Sequence, residues 1–158
     1  MTAEPTLAAA LEREHREIDA GISAYLASCA DGSHDTAPLL QAMDALRRHI
    51  YLEEAFLFPP LRDAGLFAPI LVMLREHGEI WSIMDAVATQ LGGDPASGPS
   101  EGRCLALLTQ LEQHNFKEEA VIYPQADTTL SADLHAELRT FLATGQMPSG
   151  WVCEKRAS

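Results

Sequence analysis

Two histidine-bearing patterns each occur twice in this chain. Residues 13–18 read REHREI and residues 75–80 read REHGEI, 62 positions apart and identical at five of six letters. Residues 49–59 read HIYLEEAFLFP and residues 114–124 read HNFKEEAVIYP, 65 positions apart, both fitting H-x3-E-E-A-x2-[FY]-P. Each half of the chain therefore supplies a lone histidine followed by a His-x3-Glu pair: His15 with His49 and Glu53, then His77 with His114 and Glu118. Imidazole nitrogen and carboxylate oxygen are both metal donors, and a carboxylate with two oxygens can bridge two cations. Two bridging glutamates with two histidines for each ion would make a symmetric dinuclear centre, which a duplicated unit can build by supplying one half-site per copy.

The side chains must converge for that chemistry, and helical periodicity says that they do. Residues at i and i+4 share a helix face, so His49 aligns with Glu53 and His114 with Glu118. The apolar stripes run Leu7, Leu11, His15, Ile18, Ile22 in a first helix and Ala42, Leu46, His49, Glu53, Phe56 in a second. They run Ile70, Met73, His77, Ile80, Met84, Val87, Leu91 in a third and Cys104, Leu107, Leu111, His114, Glu118, Val121 in a fourth. In each helix a polar residue stands where the pattern asks for leucine. Four imidazoles and two carboxylates facing one core cost roughly 1–3 kcal/mol for each unpaired group, and metal coordination removes that cost. A lone histidine on an apolar stripe is ordinarily a hydrogen-bonded core residue, and His-x3-Glu alone is common. The conjunction of duplicated spacing, stripe placement and a shared proline ending carries the reading. Glu54 and Glu119 are read as solvated surface charge, His34 and His135 as ordinary, and Tyr51, Trp81 and Phe116 as packing residues.

Punctuation sets the element boundaries. A first helix spans about residues 5 to 30, with Pro5 in its first turn. A second starts near Asp35 as N-cap and stops before Pro59 and Pro60. A third runs from about Pro69 to Leu91, ahead of Gly92 and Gly93. The segment GGDPASGPS is a loop, and a fourth helix runs from Ser100 as N-cap to Tyr123, before Pro124. A short fifth helix spans about residues 131 to 143, followed by an irregular tail at 144–158. No stretch alternates with period two. The expected fold is all-α: an up-down-up-down four-helix bundle made from an internally duplicated helical hairpin, as one domain over residues 1–158 with its core at about 5–143.

Composition narrows the function classes. Apolar residues make up 47 % and charged residues 22 % of the 158, an ordinary globular balance. No apolar run approaches the ~20 residues needed to span a bilayer, and the N-terminus lacks the pattern of a secretory signal, so a cytoplasmic location is expected. The net charge of −12 repels phosphate backbones and anionic membranes, so neither nucleic acid nor membrane is an expected partner. Cys29, Cys104 and Cys153 form no Cys-x-x-Cys pair and are read as reduced thiols.

The six-residue pattern across four helices resembles the hemerythrin-like, HHE cation-binding family over about residues 8 to 143. The resemblance implies a four-helix bundle holding a non-heme di-iron centre, bridged by two carboxylates and often an oxo or hydroxo group. Carried over by position, its ligands are His15, His49, Glu53, His77, His114 and Glu118. Oxygen-carrying hemerythrins have a further histidine one turn from the third-helix histidine, where this chain has Met73 and Trp81, and an aspartate in place of Glu118. The pattern is closer to a six-ligand branch, similar to di-iron proteins linked to repair of iron centres and nitric oxide stress. Those carry an additional N-terminal cysteine-bearing domain for which 158 residues leave no room. The donor types suit iron and leave zinc and manganese open. Three functions follow: a sensor or scavenger binding or reducing O2, nitric oxide or peroxide; an iron donor or store; or a structural module fastened by metal. The oligomeric state is open.

Overall fold

The structure is a computed structural model that describes residues 3–93 and 100–157. Helix α1 (Leu7–Ala30) is capped by Thr6, whose hydroxyl accepts from the Ala9 N–H at 3.1 Å. Helix α2 (Ala37–Leu52) begins with Pro38 in its first turn, and Asp35 accepts from the Ala37 N–H at 3.2 Å just ahead of it. Helix α2 passes through a π-helical turn (Glu53–Leu57) into α3 (Phe58–Asp63). Helix α4 is Phe67–Gly92 and α5 is Glu101–Lys117. Helix α5 in turn passes through a π-helical turn (Glu118–Ile122) into α6 (Tyr123–Thr129). Helix α7 (Ala132–Thr144) is capped by Ser131, which accepts from the Leu134 N–H at 3.2 Å. Strands are absent among the described residues, and residues 94–99 of the expected loop lie outside them.

Two boundary expectations fail in the same way. The second and fourth helices do not stop at Pro59 and Pro124 but run through them. A proline ring inside a helix lacks an N–H and collides with the carbonyl four residues back. Widening one turn from i+4 to i+5 relieves both problems, and a π turn begins at the glutamate of each His-x3-Glu pair. The wider turn shifts the buried face by one residue. Leu57 and Ile122 are buried where Phe56 and Val121 were expected, and Val121 is exposed. Phe116, expected to pack, is also exposed.

The core is two apolar clusters with a polar layer between them. One cluster holds Leu7, Leu11, Leu57, Phe58, Ile70, Met73 and Ile122; the other holds Ile18, Ile22, Leu46, Ile80, Met84, Val87, Leu107 and Leu111. Chain order through the layers gives the topology. Helices α1 and α4 run from the first cluster to the second, and α2–α3 and α5–α6 run back. That is the expected up-down-up-down bundle. His15, His49, Glu53, His77, His114 and Glu118 form the dividing layer.

The tail has no regular helix among residues 145–157, as expected, yet it is packed. The Trp151 ring meets Tyr51 at 5.1 Å and Trp81 at 5.7 Å, which places both of those residues in packing roles as expected. Cys153 is buried, and its thiol points at the His77 carbonyl at 3.8 Å. The tail crosses α4 at Gly78, where a Cβ would sit 2.3 Å from the Lys155 carbonyl oxygen. This explains the single letter by which REHGEI departs from REHREI: the equivalent Arg16 on α1 is exposed, so a side chain fits there. All three cysteines are free, and burial pushes the thiols of Cys104 and Cys153 up to about 11.

Candidate metal centre

All six predicted residues meet in the buried layer, none more than 4 % exposed. They form two overlapping groups, His15–His49–Glu53–Glu118 and Glu53–His77–His114–Glu118, each with donor atoms within 4.8 Å of one another. Each glutamate offers one oxygen to each group. Glu53 Oε2 lies 3.4 Å from His49 Nε2, while its Oε1 lies 3.2 Å from His77 Nε2. Glu118 Oε1 lies 3.2 Å from His15 Nε2, while its Oε2 lies 3.1 Å from His114 Nε2. The helical i,i+4 pairing brings each carboxylate beside its own histidine, and the opposed helices bring the other half's histidine to the remaining oxygen.

Every imidazole turns Nε2 inward and Nδ1 outward to a carboxylate. Nδ1 of His15 meets Glu119 at 2.9 Å and that of His49 meets Glu14 at 2.8 Å. Nδ1 of His77 meets Glu54 at 2.7 Å and that of His114 meets Glu76 at 2.9 Å. A carboxylate accepting at Nδ1 fixes the tautomer that leaves Nε2 free as a donor and raises its basicity, as at metal-bound histidines. The reading of Glu54 and Glu119 as solvated charge is therefore corrected: both hold imidazoles, and the Glu54 side chain is only 6 % exposed. Each follows a central glutamate by one residue, ~100° further around the helix, which turns it toward a histidine of the neighbouring helix.

The carboxylates form a closed circuit. Glu14, beside His15 in sequence, serves His49; Glu54, beside Glu53, serves His77; Glu76, beside His77, serves His114; Glu119, beside Glu118, serves His15. Both R-E-H and both E-E pairs thus carry one central residue and one that orients the histidine of another helix. Three carboxylates are themselves held: Glu14 by Arg48 at 3.2 Å, Glu76 by Lys117, and Glu54 by the Glu154 backbone N–H of the tail at 2.9 Å. Glu14 and Glu76 escaped sequence reasoning, although their repetition in R-E-H was a signal of it.

Electrostatics follow from this crowding. Burial acts to lower the His49 pKa, but Glu53 and Glu14 outweigh it and raise it to about 10. Burial likewise opposes charge at His77 and His114, and the glutamates around each push them up. Burial and the neighbouring Glu118 act to raise Glu53, and the imidazoles overcome them. Hydrogen bonding from His114 holds Glu76 down at about 2.

Tyr123 was missed altogether, its [FY]-P position having been read as a stop signal. It is fully buried; its hydroxyl donates to Glu53 Oε2 at 2.7 Å and lies 2.9 Å from His15 Nε2. In the other group Glu53 Oε1, His77 Nε2 and Glu118 Oε2 are buried and make no aligned hydrogen bond, although each lies 3.1–3.6 Å from a neighbouring donor atom. Buried polar atoms are nearly always partnered, and three orphans converging on one point are what a cation's donor set leaves when only protein atoms are counted. The residues fit a metal pair. His34 lies in a loop, where it comes together with Cys29 and Glu101, partly open to water; His135 is on α7, apart from both groups.

A family model, Hemerythrin HHE cation binding domain, matches residues 6–126, a span that contains all six central residues, all four orienting carboxylates and Tyr123. No curated protein and no solved structure matches the chain.

Proposed function

Because this chain belongs to the hemerythrin HHE cation-binding family, we propose that it holds two iron ions and uses them to bind or reduce a small oxidant: O2, nitric oxide or peroxide. The ligands in this reading are His15, His49, Glu53, His77, His114 and Glu118, the six-ligand pattern. One observation carries it: two buried donor groups share both oxygens of Glu53 and of Glu118, one oxygen to each group. Bound iron supplies one-electron redox chemistry and coordination positions that the protein leaves free. The chain's own residues orient and insulate. Glu14, Glu54, Glu76 and Glu119 fix the imidazoles with Nε2 inward. The apolar clusters above and below exclude water, which strengthens each metal–ligand contact.

Burial of all six ligands weighs against an iron donor, whose output is labile metal. No described helix is long and apolar enough to cross a membrane, and the charge of −12 disfavours nucleic acid. The test is elemental analysis of protein from iron-replete expression, then anaerobic spectra before and after O2, nitric oxide or hydrogen peroxide. Two irons per chain and a spectral change with at least one of these are expected. One iron or none, or no change with any of the three, overturns the reading.

A further inference from the structure

The duplication makes one position of the two halves directly comparable: the residue before the proline, Phe58 in one copy and Tyr123 in the other. Each ring lies against the lone histidine of one repeat. Phe58 stacks on His77 with centroids 5.5 Å apart at 17°, and Tyr123 lies 5.4 Å from His15 at 30°. Tyr123 adds an oxygen to this arrangement. That oxygen is 2.7 Å from Glu53 Oε2, 2.9 Å from His15 Nε2, 3.1 Å from His49 Nε2 and 3.2 Å from Glu118 Oε1. These are the four donor atoms of one group. Donors at right angles about a cation with bonds of ~2.1 Å lie ~3.0 Å apart, so the hydroxyl has the spacing of a fifth donor.

Among the described residues the other group has no such oxygen. Phe58 presents only carbon there, and three of the five buried side-chain atoms without a hydrogen-bond partner among the described residues belong to this group, the others being on Asp19 and Gln90. A cavity of about 220 Å³ lies on the outer side of Glu54 and Phe58, the two residues that touch His77, and is also lined by Leu74, Trp151 and Glu154.

We infer that the two metal positions are unequal: the His15–His49 position takes the Tyr123 oxygen as an additional protein ligand, and the His77–His114 position receives the small ligand, which enters through the cavity beside Phe58. The inference rests on the proposed di-iron reading and says which ion does what. As the Tyr123 oxygen binds the ion, its O–H bond breaks and the proton leaves to solvent; no electron moves in this step. A hard phenolate oxygen favours the ferric ion at that position.

The experiment uses full-length, iron-loaded ferric protein, its visible absorption and resonance Raman spectra, and titration with inorganic azide. Wild type is expected to show a phenolate-to-iron charge-transfer band with tyrosine ring modes in resonance, and Tyr123→Phe to lose it. Phe58→Tyr is expected to weaken azide at least tenfold. A two-iron wild type without the band overturns this inference alone, as does a band that survives in Tyr123→Phe. Azide weakened tenfold by Tyr123→Phe and unaffected by Phe58→Tyr reverses the assignment and overturns it too. A wild type holding fewer than two irons overturns the di-iron reading and this inference with it.

Discussion

The His15–His49 half and the His77–His114 half repeat the same histidine and glutamate spacing, and two of the positions at which they differ are informative. Tyr123 stands at the position of Phe58 in the other copy, and Gly78 at the position of Arg16. The letters that match are those at the polar layer: the histidines, the two central glutamates and the carboxylates that hold each Nδ1. At two of the letters that differ, one copy meets something the other does not: a strap of tail at Gly78 and a hydroxyl among the donors at Tyr123. A duplicated unit can thus keep its symmetric chemistry while its surroundings make the halves unequal.

The strongest way to break the comparison is to remove what both halves share. Glu118→Ala deletes an oxygen from each group, so elemental analysis should find iron falling from two per chain to below one. His77→Ala removes a donor from one group only and should leave about one. Equal losses from the two variants would show that Glu118 does not bridge.

Proton competition comes next. His49 has a folded pKa of about 10 against 6.5 for the ordinary group, so its charge stabilises the metal-free fold fully below pH 6.5. That stabilisation fades as pH rises toward 10, and His77 and His114 are shifted the same way. Metal must displace those protons, so affinity rises with pH across the same window. An ion at one hundred times its dissociation constant adds about 2.7 kcal/mol, on the order of 5–10 °C in melting temperature for a chain of this size. Calorimetry should find that gain larger at pH 9 than at pH 6.5. A gain that shrinks with pH would contradict the protonated imidazoles.

A finer contrast lies among the orienting carboxylates. Glu54→Ala should weaken metal by about 10–100-fold in chelator competition, the usual effect of losing such a partner. Glu119→Ala should cost less, because its side chain is 36 % exposed and water can take its place on His15. Identical losses would erase this difference between the halves.

The smallest effect is expected at the strap. Gly78→Ala drives a methyl into the Lys155 carbonyl, and peeling the tail away should cost about 1 kcal/mol, or about 2–4 °C in melting temperature. Arg16→Ala, at the equivalent open position, should stay within about 0.5 kcal/mol of wild type.

The sequence by itself determined the bundle and the six central residues, because one helix face records its burial in a repeat of three and four. His15 among Leu7, Leu11 and Ile18 could be placed without any neighbour. What lay across the gap between helices was invisible to that repeat. Glu14 sits next to His15 in sequence but points ~100° away around the helix, so it reaches His49 on α2 rather than its own neighbour. Only the packing of one helix against the next decides such a pairing. Tyr123 was lost for a related reason: Pro124 was read as ending a helix, whereas the backbone absorbed it in a π turn that swung the preceding residue inward. Spacing along one helix fixes which face a residue occupies; which partner waits there, and whether a turn widens to change the face, is set by the tertiary fold.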